Sequence, residues 1–313
     1  MIARSIVASL LLCAAALGQV DIRPMPIAHV FDGASRTLSP LYGLPGATVW
    51  GDPVALPFEA SRIVVRRGRA LAITAANSVM ASPSVSAANP GWTALFAAFE
   101  PEGAVLNAIG TRGLLFNQQF GLVQFVSGLD GTAKLSTAVP ISGGWSKVAV
   151  ARDSDCALLV RNEDAGAAVD RVCAGGAPVR LLATGEIDVA AICWLPGERQ
   201  AAVADGAGGR LLAIDAAQPA APVMLASAAD GVRRPTAIEA LSNGTIVAVQ
   251  EDGPEILLLG AGRKAPFHAL AAPAKPGTIE VLASGFVFGA PGANGSAFLV
   301  DLEEEQVYVV AAR

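Results

Sequence analysis

The sequence predicts an all-β chain folded as a β-propeller of four-stranded blades, six by count with room for a seventh. Three observations carry that expectation. Apolar runs of strand length are cut by residues with turn chemistry. The runs group in fours, and the group recurs along the chain. No amphipathic helix of useful length is visible, because alternation outweighs the 3.6-residue period nearly everywhere.

The stretch TAIEALSNGTIVAVQEDGPEILLLG, residues 236–260, displays the unit. Asn243-Gly244 is a hairpin signal, since both residue types tolerate positive φ. Asp252-Gly253-Pro254 supplies a second turn, and AGRKAP (261–266) a third before FHALAA. The predicted strands are TAIEAL, TIVAVQ, EILLLG and PFHALA. The same order is read in 279–312, 189–226 and 147–183, with less regular copies at 94–110 and 62–78. First-hairpin turns anchored at Gly68, Gly103, Asp155, Arg199, Gly244 and Gly285 lie 35, 52, 44, 45 and 41 residues apart.

A four-stranded unit at such a period is the mark of a propeller blade. Each blade hides its faces against its neighbours, so the ring must close before any blade is stable. Stacked sandwiches would need seven or more strands each and cores richer in aromatics. The segment HVFDGASRTLSPLYG (29–43) reads as a third-and-fourth-strand hairpin that closes the ring by covering the last blade's open edge. The Gly- and Pro-rich YGLPGATVWGDPVALP (42–57) reads as a connector over one face, and degenerate strands around 78–91 leave room for a seventh blade. With this rhythm covering nearly all of the chain, the sequence resembles the bacterial secreted propellers of YVTN and NHL type. That resemblance implies architecture and transfers no catalytic residue; the Trp-Asp dipeptide of WD repeats is not present.

The 313 residues are 53% hydrophobic and 16% charged, with 5% aromatics and a mean hydropathy of +0.50. Small side chains on short strands suit closely stacked sheets. A net charge of −5 without a basic stripe argues against nucleic acid as a partner. MIARSIVASLLLCAAALGQ reads as a secretory signal: Arg4 is its charged region, Ile6 to Leu17 its apolar region, and Ala16-Leu17-Gly18 a small-residue cleavage site. About 12 apolar residues are too few to span a bilayer, and Leu12 stands before Cys13 where a lipoprotein needs a small residue. The expected organisation is a signal peptide over 1–18 and one propeller domain over 19–313, exported and monomeric, with no membrane span.

Cysteine is the most specific local signal. Folding CALLVR back on AVDRVC about NEDAGA places Leu158 opposite Arg171, Val160 opposite Val169 and Cys156 opposite Cys173. In an exported protein that predicts a disulfide, contributing on the order of 3 kcal/mol for a loop of this length. Cys193 reads as a buried inner-strand thiol, with no His nearby in sequence. Only two histidines exist, His29 and His268, which argues against a multi-imidazole metal centre, and no GxSxG elbow is present. His268 reads as an ordinary outer-strand residue.

Asp153, Asp155, Asp205, Asp252 and Asp301 fall at related turn or strand-end positions, where propeller carboxylates can gather at one channel mouth around Ca²⁺. Lactone-hydrolysing propellers, which this arrangement resembles, hold a metal by Glu, Asn and Asp from different blades. Asp serves turns for local hydrogen-bonding reasons, however, and no such ligand set can be picked out. The Gly-rich runs 205–209 and 289–295 lead into no helix, so they do not read as phosphate cradles. EEEQ (303–306) reads as a solvated turn; Trp50, Trp92, Trp145 and Trp194 read as inter-blade packing rather than a sugar platform. The sequons at Asn243 and Asn294 read as turns. The sequence thus nominates no catalytic, cofactor-binding or metal-ligating residue and no cofactor. It predicts a binding or scaffold protein for an unidentified protein, polymer or other ligand outside the cytoplasm. A metal-dependent lactonase-like hydrolase with its site at the channel mouth is the alternative.

Overall fold

The computed structural model describes residues 26–310 except 45–46, 87–89, 164–165, 186, 252–254, 261–267, 272–275, 283–285, 292–297 and 303–305. The predicted leader, 1–18, lies outside the described residues. So do Asp252, Gly285 and Asn294, and nothing of the His268 side chain is described. Among the described residues no helix is long and apolar enough to cross a membrane.

Seven antiparallel sheets follow one another along the chain, each meandering from its first strand outward. Blade 1 has three described strands, Ala28–Asp32, Thr37–Leu44 and Ala47–Trp50. The first strands of blades 2 to 7 are Ala60–Arg66, Gly103–Leu106, Lys147–Val150, Val189–Trp194, Pro235–Ala240 and Pro276–Val281. Each of these blades has four strands, although the fourth of blade 3 is split into Lys134–Leu135 and Val139–Pro140. The ring is a seven-bladed β-propeller.

Packing explains the composition. Seven buried apolar clusters occur among the described residues, and each straddles two neighbouring blades. A strand buried on both faces reads as a continuous apolar run while still alternating in direction. In the second strand of blade 4, Cys156–Glu163, Leu158 and Val160 face blade 5, whereas Ala157 and Leu159 face blade 3. In blade 5, Ala201 and Val203 face blade 4, and Ala202 and Ala204 face blade 6. Ring closure is the same kind of contact: Ala28 and Leu41 of blade 1 pack with Phe288 and Leu299 of blade 7.

The N-terminal segment therefore departs from expectation. Its strands are the first three of a blade of their own, and among the described residues blade 7 pairs only within itself. Residues read as a surface connector supply strand Ala47–Trp50, paired Leu41 with Trp50, and an isolated bridge from Leu38 to Val54. Gly and Pro interrupt that edge without abolishing it, because an outer strand needs partners on one side only.

Gly103 is the second departure. It lies inside the first strand of blade 3, opposite Phe116, not in a hairpin turn. A Cβ there would sit 2.2 Å from the Phe116 ring, so only glycine leaves room for the aromatic lid. Gly289 and Phe298 repeat the arrangement in blade 7. The true first hairpin of blade 3 turns at Asn107–Gly110, with Gly110 at φ +72°. Re-anchored there, the blade 2-to-3 and 3-to-4 intervals become 42 and 45 residues, matching the rest of the ring.

Three blades share a latch. A buried polar residue closes the second strand and bonds the main chain 17 residues upstream, in the connector from the preceding blade. Asn117 Nδ2 donates to the Glu100 carbonyl, Asp205 Oδ1 accepts from Asp188 N–H, and Gln250 Oε1 accepts from Arg233 N–H. Buried backbone groups must be paired, and this is how connectors that lie outside the ladders are satisfied.

Candidate functional site

The first-to-second-strand turns of blades 2 to 5 emerge at one end of the central channel, and there they are tied edge to edge. Arg69 Nη1 of blade 2 donates to the Ile109 carbonyl at 3.0 Å. Asn107 of blade 3, almost wholly buried, holds its own turn by accepting from Thr111 N–H, and its amide donates to the Ala151 and Arg152 carbonyls of blade 4. Arg112 adds a 3.0 Å bond to Asp155 Oδ1. Blade 4 is joined to blade 5 through Glu198, which accepts from Asp153 N–H at 2.6 Å and Ser154 Oγ at 2.7 Å.

Two side chains at this rim sit on left-handed backbone, Arg67 at φ +48° and Glu198 at φ +56°. For residues with a Cβ that conformation costs roughly 1–2 kcal/mol, and charge-assisted hydrogen bonds such as those of Glu198 offset it. Arg67 and Gly68, both at positive φ, close the blade 2 hairpin. In the Asn243-Gly244 turn only Gly244 is left-handed, and Asn243 Oδ1 accepts from Thr245 N–H, so the Asn serves the turn through its side chain.

Inside the rim lies a cavity of about 130 Å³, walled by blades 2 to 6. Its charged lining is Arg66 and Arg67 from blade 2, Arg152 and Asp153 from blade 4, Glu198 from blade 5 and Glu239 from blade 6. Trp194 forms part of its wall and donates its indole N–H to the Ala149 carbonyl at 3.0 Å. Cys193 lies beside it, and burial, with the Glu239 charge adding to it, pushes its thiol pKa well up, so it is a neutral buried thiol.

The sequence-level candidates are distributed as follows. Cys156 and Cys173 are directly paired across their strands, with sulfurs 2.02 Å apart, the distance of a disulfide. Among the described residues, these candidate carboxylates do not gather at one mouth. Asp153 and Asp155 lie in the blade 4 rim turn, whereas Asp205 ends a second strand at the opposite face, held by Arg210 Nε and by Gly208 N–H. Asp301 ends a third strand, away from the channel-lining first strands. Strand polarity is the reason: consecutive strand ends fall on alternate faces. Among the described residues no three His, Cys, Asp or Glu side chains are placed to hold a metal together. His29 lies in the first strand of blade 1, buried, and none of the four Trp is exposed; each packs with an inter-blade cluster. Sequence reasoning missed the rim residues Asn107, Arg152 and Glu198. Their signal was the position just after each first strand; for Asn107 it is legible only once the blade 3 turn is placed correctly.

No family model and no curated protein sequence matches the chain. Solved structures do. A streptogramin B lyase aligns over 83% of this chain and 87% of its own, with TM-score 0.58 and 12% identity. A functionally unknown protein from Desulfotomaculum acetoxidans aligns over 91% and 95%, with TM-score 0.60 and 12% identity. A virginiamycin B lyase from Staphylococcus aureus aligns over 80% and 83%, with TM-score 0.54 and 11% identity. The likeness is one of fold. Propellers host many activities on one scaffold, so what this ring does must be argued from its own mouth.

Proposed function

We propose that the chain is an exported binding protein that takes its ligand at the channel mouth formed by the first-to-second-strand turns. The observation that supports this reading is the cavity itself: five blades contribute to it, six charged side chains line it, and interlocking hydrogen bonds hold its rim. A concave site with a few convergent polar groups on a rigid frame is the usual form of a small-molecule site.

The test is a thermal-unfolding screen of small organic ligands and metal ions on the protein and on Ala108→Trp, which fills the mouth. A ligand that binds only the folded state raises the melting temperature by mass action. The expected result is a saturable rise with at least one organic ligand that Ala108→Trp abolishes. A rise equal in both proteins would place binding elsewhere and sink the reading. A saturable rise with Ca²⁺ alone would replace it with the metal-dependent hydrolase, and turnover of a streptogramin B would replace it with a lyase.

Export rests on the leader pattern of residues 1–18 and on the cysteine pair, since disulfides persist in oxidising compartments. Intact mass of the exported fraction under non-reducing conditions is expected to correspond to a chain beginning at Gln19, lighter by two hydrogens than its reduced form. A chain retaining Met1, or alkylation of Cys156 and Cys173 without prior reduction, would refute the respective proposal.

A further inference from the structure

The cysteine pair stands at the foot of the mouth rather than in the middle of its blade. Cys156 opens the second strand of blade 4 directly after the rim turn, and Cys173 closes the third strand, Gly166–Cys173, beside it. The Ala151 N–H donates to the Cys156 carbonyl at 2.9 Å, and the Ala174 N–H donates to the Asp155 carbonyl at 2.8 Å. The two cysteines therefore hold the base of the turn 151–155. That turn is where blades 3, 4 and 5 meet. It receives the Asn107 amide and Arg112 from blade 3, and it donates through Asp153 N–H and Ser154 Oγ to Glu198 of blade 5. Side-chain direction puts the pair at the same junction. Cys156 and Cys173 share a face with Leu158, Val160 and Val169, which pack against blade 5. Arg171, on that face too, donates to the Ala216 carbonyl of blade 5 at 2.7 Å.

We infer that Cys156 and Cys173 form a thiol–disulfide exchange site through which a dithiol sets the order of the mouth. The inference rests on the cysteine bond and, for its functional consequence, on the mouth as the proposed ligand site. One thiolate of the dithiol attacks a sulfur of the pair, the Cys156–Cys173 bond breaks, and a mixed disulfide forms. The second thiol of the reagent then displaces the protein sulfur. Two thiols are left in blade 4 and the dithiol leaves as a disulfide, so two electrons and two protons have entered the protein.

Exchange needs access, and the site has it. Both cysteines are half-buried, whereas the free thiol of Cys193 is buried. Cys173 leads into the exposed stretch 175–178, whose first two residues, Gly175 and Gly176, carry no side chain to shield it. A Cβ at Gly175 would meet nothing within 4 Å, so the approach from that side is open. The effect of reduction is local for a physical reason. The second and third strands of blade 4 pair over eight positions, and Leu158, Val160 and Val169 keep that hairpin in the inter-blade core without the bond. The rim turn has only hydrogen bonds at its base and across to its neighbours, and such turns open at the low end of a structure's stability range.

The test is site-resolved amide hydrogen exchange on the whole protein before and after dithiothreitol, with alkylation and intact mass to count free thiols. Dithiothreitol is expected to free Cys156 and Cys173 in the folded protein. Exchange at residues 151–155 is then expected to rise by about ten- to a hundredfold, the scale of a constraint of this loop length. Exchange in the second strand of blade 2, Arg69–Thr74, is expected to stay unchanged, and reoxidation to restore the rim. The double variant Cys156→Ser, Cys173→Ser is expected to exchange at the rim like the reduced protein and not to respond to dithiothreitol. A bond that dithiothreitol leaves intact in the folded protein, or rim exchange unchanged by reduction, overturns the inference. An equal rise in Arg69–Thr74 also overturns it and makes the pair a staple of the whole ring. Thiols that alkylate before any reduction overturn it together with the cysteine bond. The exchange readout needs no ligand, so its outcome is independent of the ligand screen at the mouth.

Discussion

Replacing Asp170 with Asn is expected to lower the free energy of unfolding by about 3–5 kcal/mol, the range for breaking one partner of a buried ion pair. Asp170 is 4% exposed in the third strand of blade 4. It accepts from Arg180 Nε at 2.5 Å and lies 2.7 Å from Arg161 Nε. Glu163 completes the square, 2.7 Å from Arg180 and 3.2 Å from Arg161, and Arg161 Nη1 reaches on to the Ser142 carbonyl in the connector from blade 3. Glu163 is partly exposed and contributes less, as solvent-facing ion pairs do. Without the Asp170 charge two guanidiniums share one partly solvated carboxylate, and Arg161, whose side chain is 16% exposed, is only partly compensated by water. Urea unfolding measures the effect as a lower midpoint at unchanged slope. The triple variant Asp170→Leu, Arg161→Met, Arg180→Met is expected to regain most of the loss, because well-packed apolar groups replace buried charges at little cost. A loss under about 1 kcal/mol for Asp170→Asn, the scale of an exposed pair, would show that the square is merely a surface network.

Stability is also expected to fall with pH between 6.5 and about 4 through His29. Burial, with no hydrogen-bond partner for Nε2 among the described residues, lowers its pKa from 6.5 to about 4. In that window the unfolded chain binds a proton that the folded chain refuses, so unfolding gains as pH drops. The contribution is complete above pH 6.5 and is lost as pH falls through about 4; at about 1.4 kcal/mol per unit it amounts to about 3 kcal/mol. His29→Phe keeps a ring at this position and removes the titrating nitrogen. Its unfolding free energy should be flatter with pH than the parent's over this window. Parallel curves for the two proteins, or an NMR titration of His29 with a midpoint near 6.5, would sink the idea.

Much of the ring was readable because a blade is a local object. Strands such as IVAVQ and EILLLG pair with their sequence neighbours across short turns, so composition and turn residues report them directly. The register that sets Cys156 opposite Cys173 is likewise set by one hairpin. The errors came where one local pattern had two meanings. The EPEG segment before Val105 carries turn chemistry, yet it is the connector between blades 2 and 3, and Gly103 is there for the Phe116 ring. The segment 42–57 looked like a loop because an edge strand with alternate residues exposed tolerates Gly and Pro, so the first blade was counted as a closing hairpin.

The sequence by itself determined the fold class, the four-stranded unit, the cysteine pairing and the apolar, small-residue character of the inter-blade contacts. These depend on interactions between residues near each other in the chain. Only the tertiary structure decided that the blades number seven, that closure is by side-chain packing of Ala28 and Leu41 against blade 7, and that the turn carboxylates divide between two faces. It alone set Arg66 and Arg67 across a channel from Glu198 and Glu239, residues more than 130 positions apart. The physical reason is closure. Which blades stand opposite one another depends on how many the ring contains, and no single blade's sequence encodes that number.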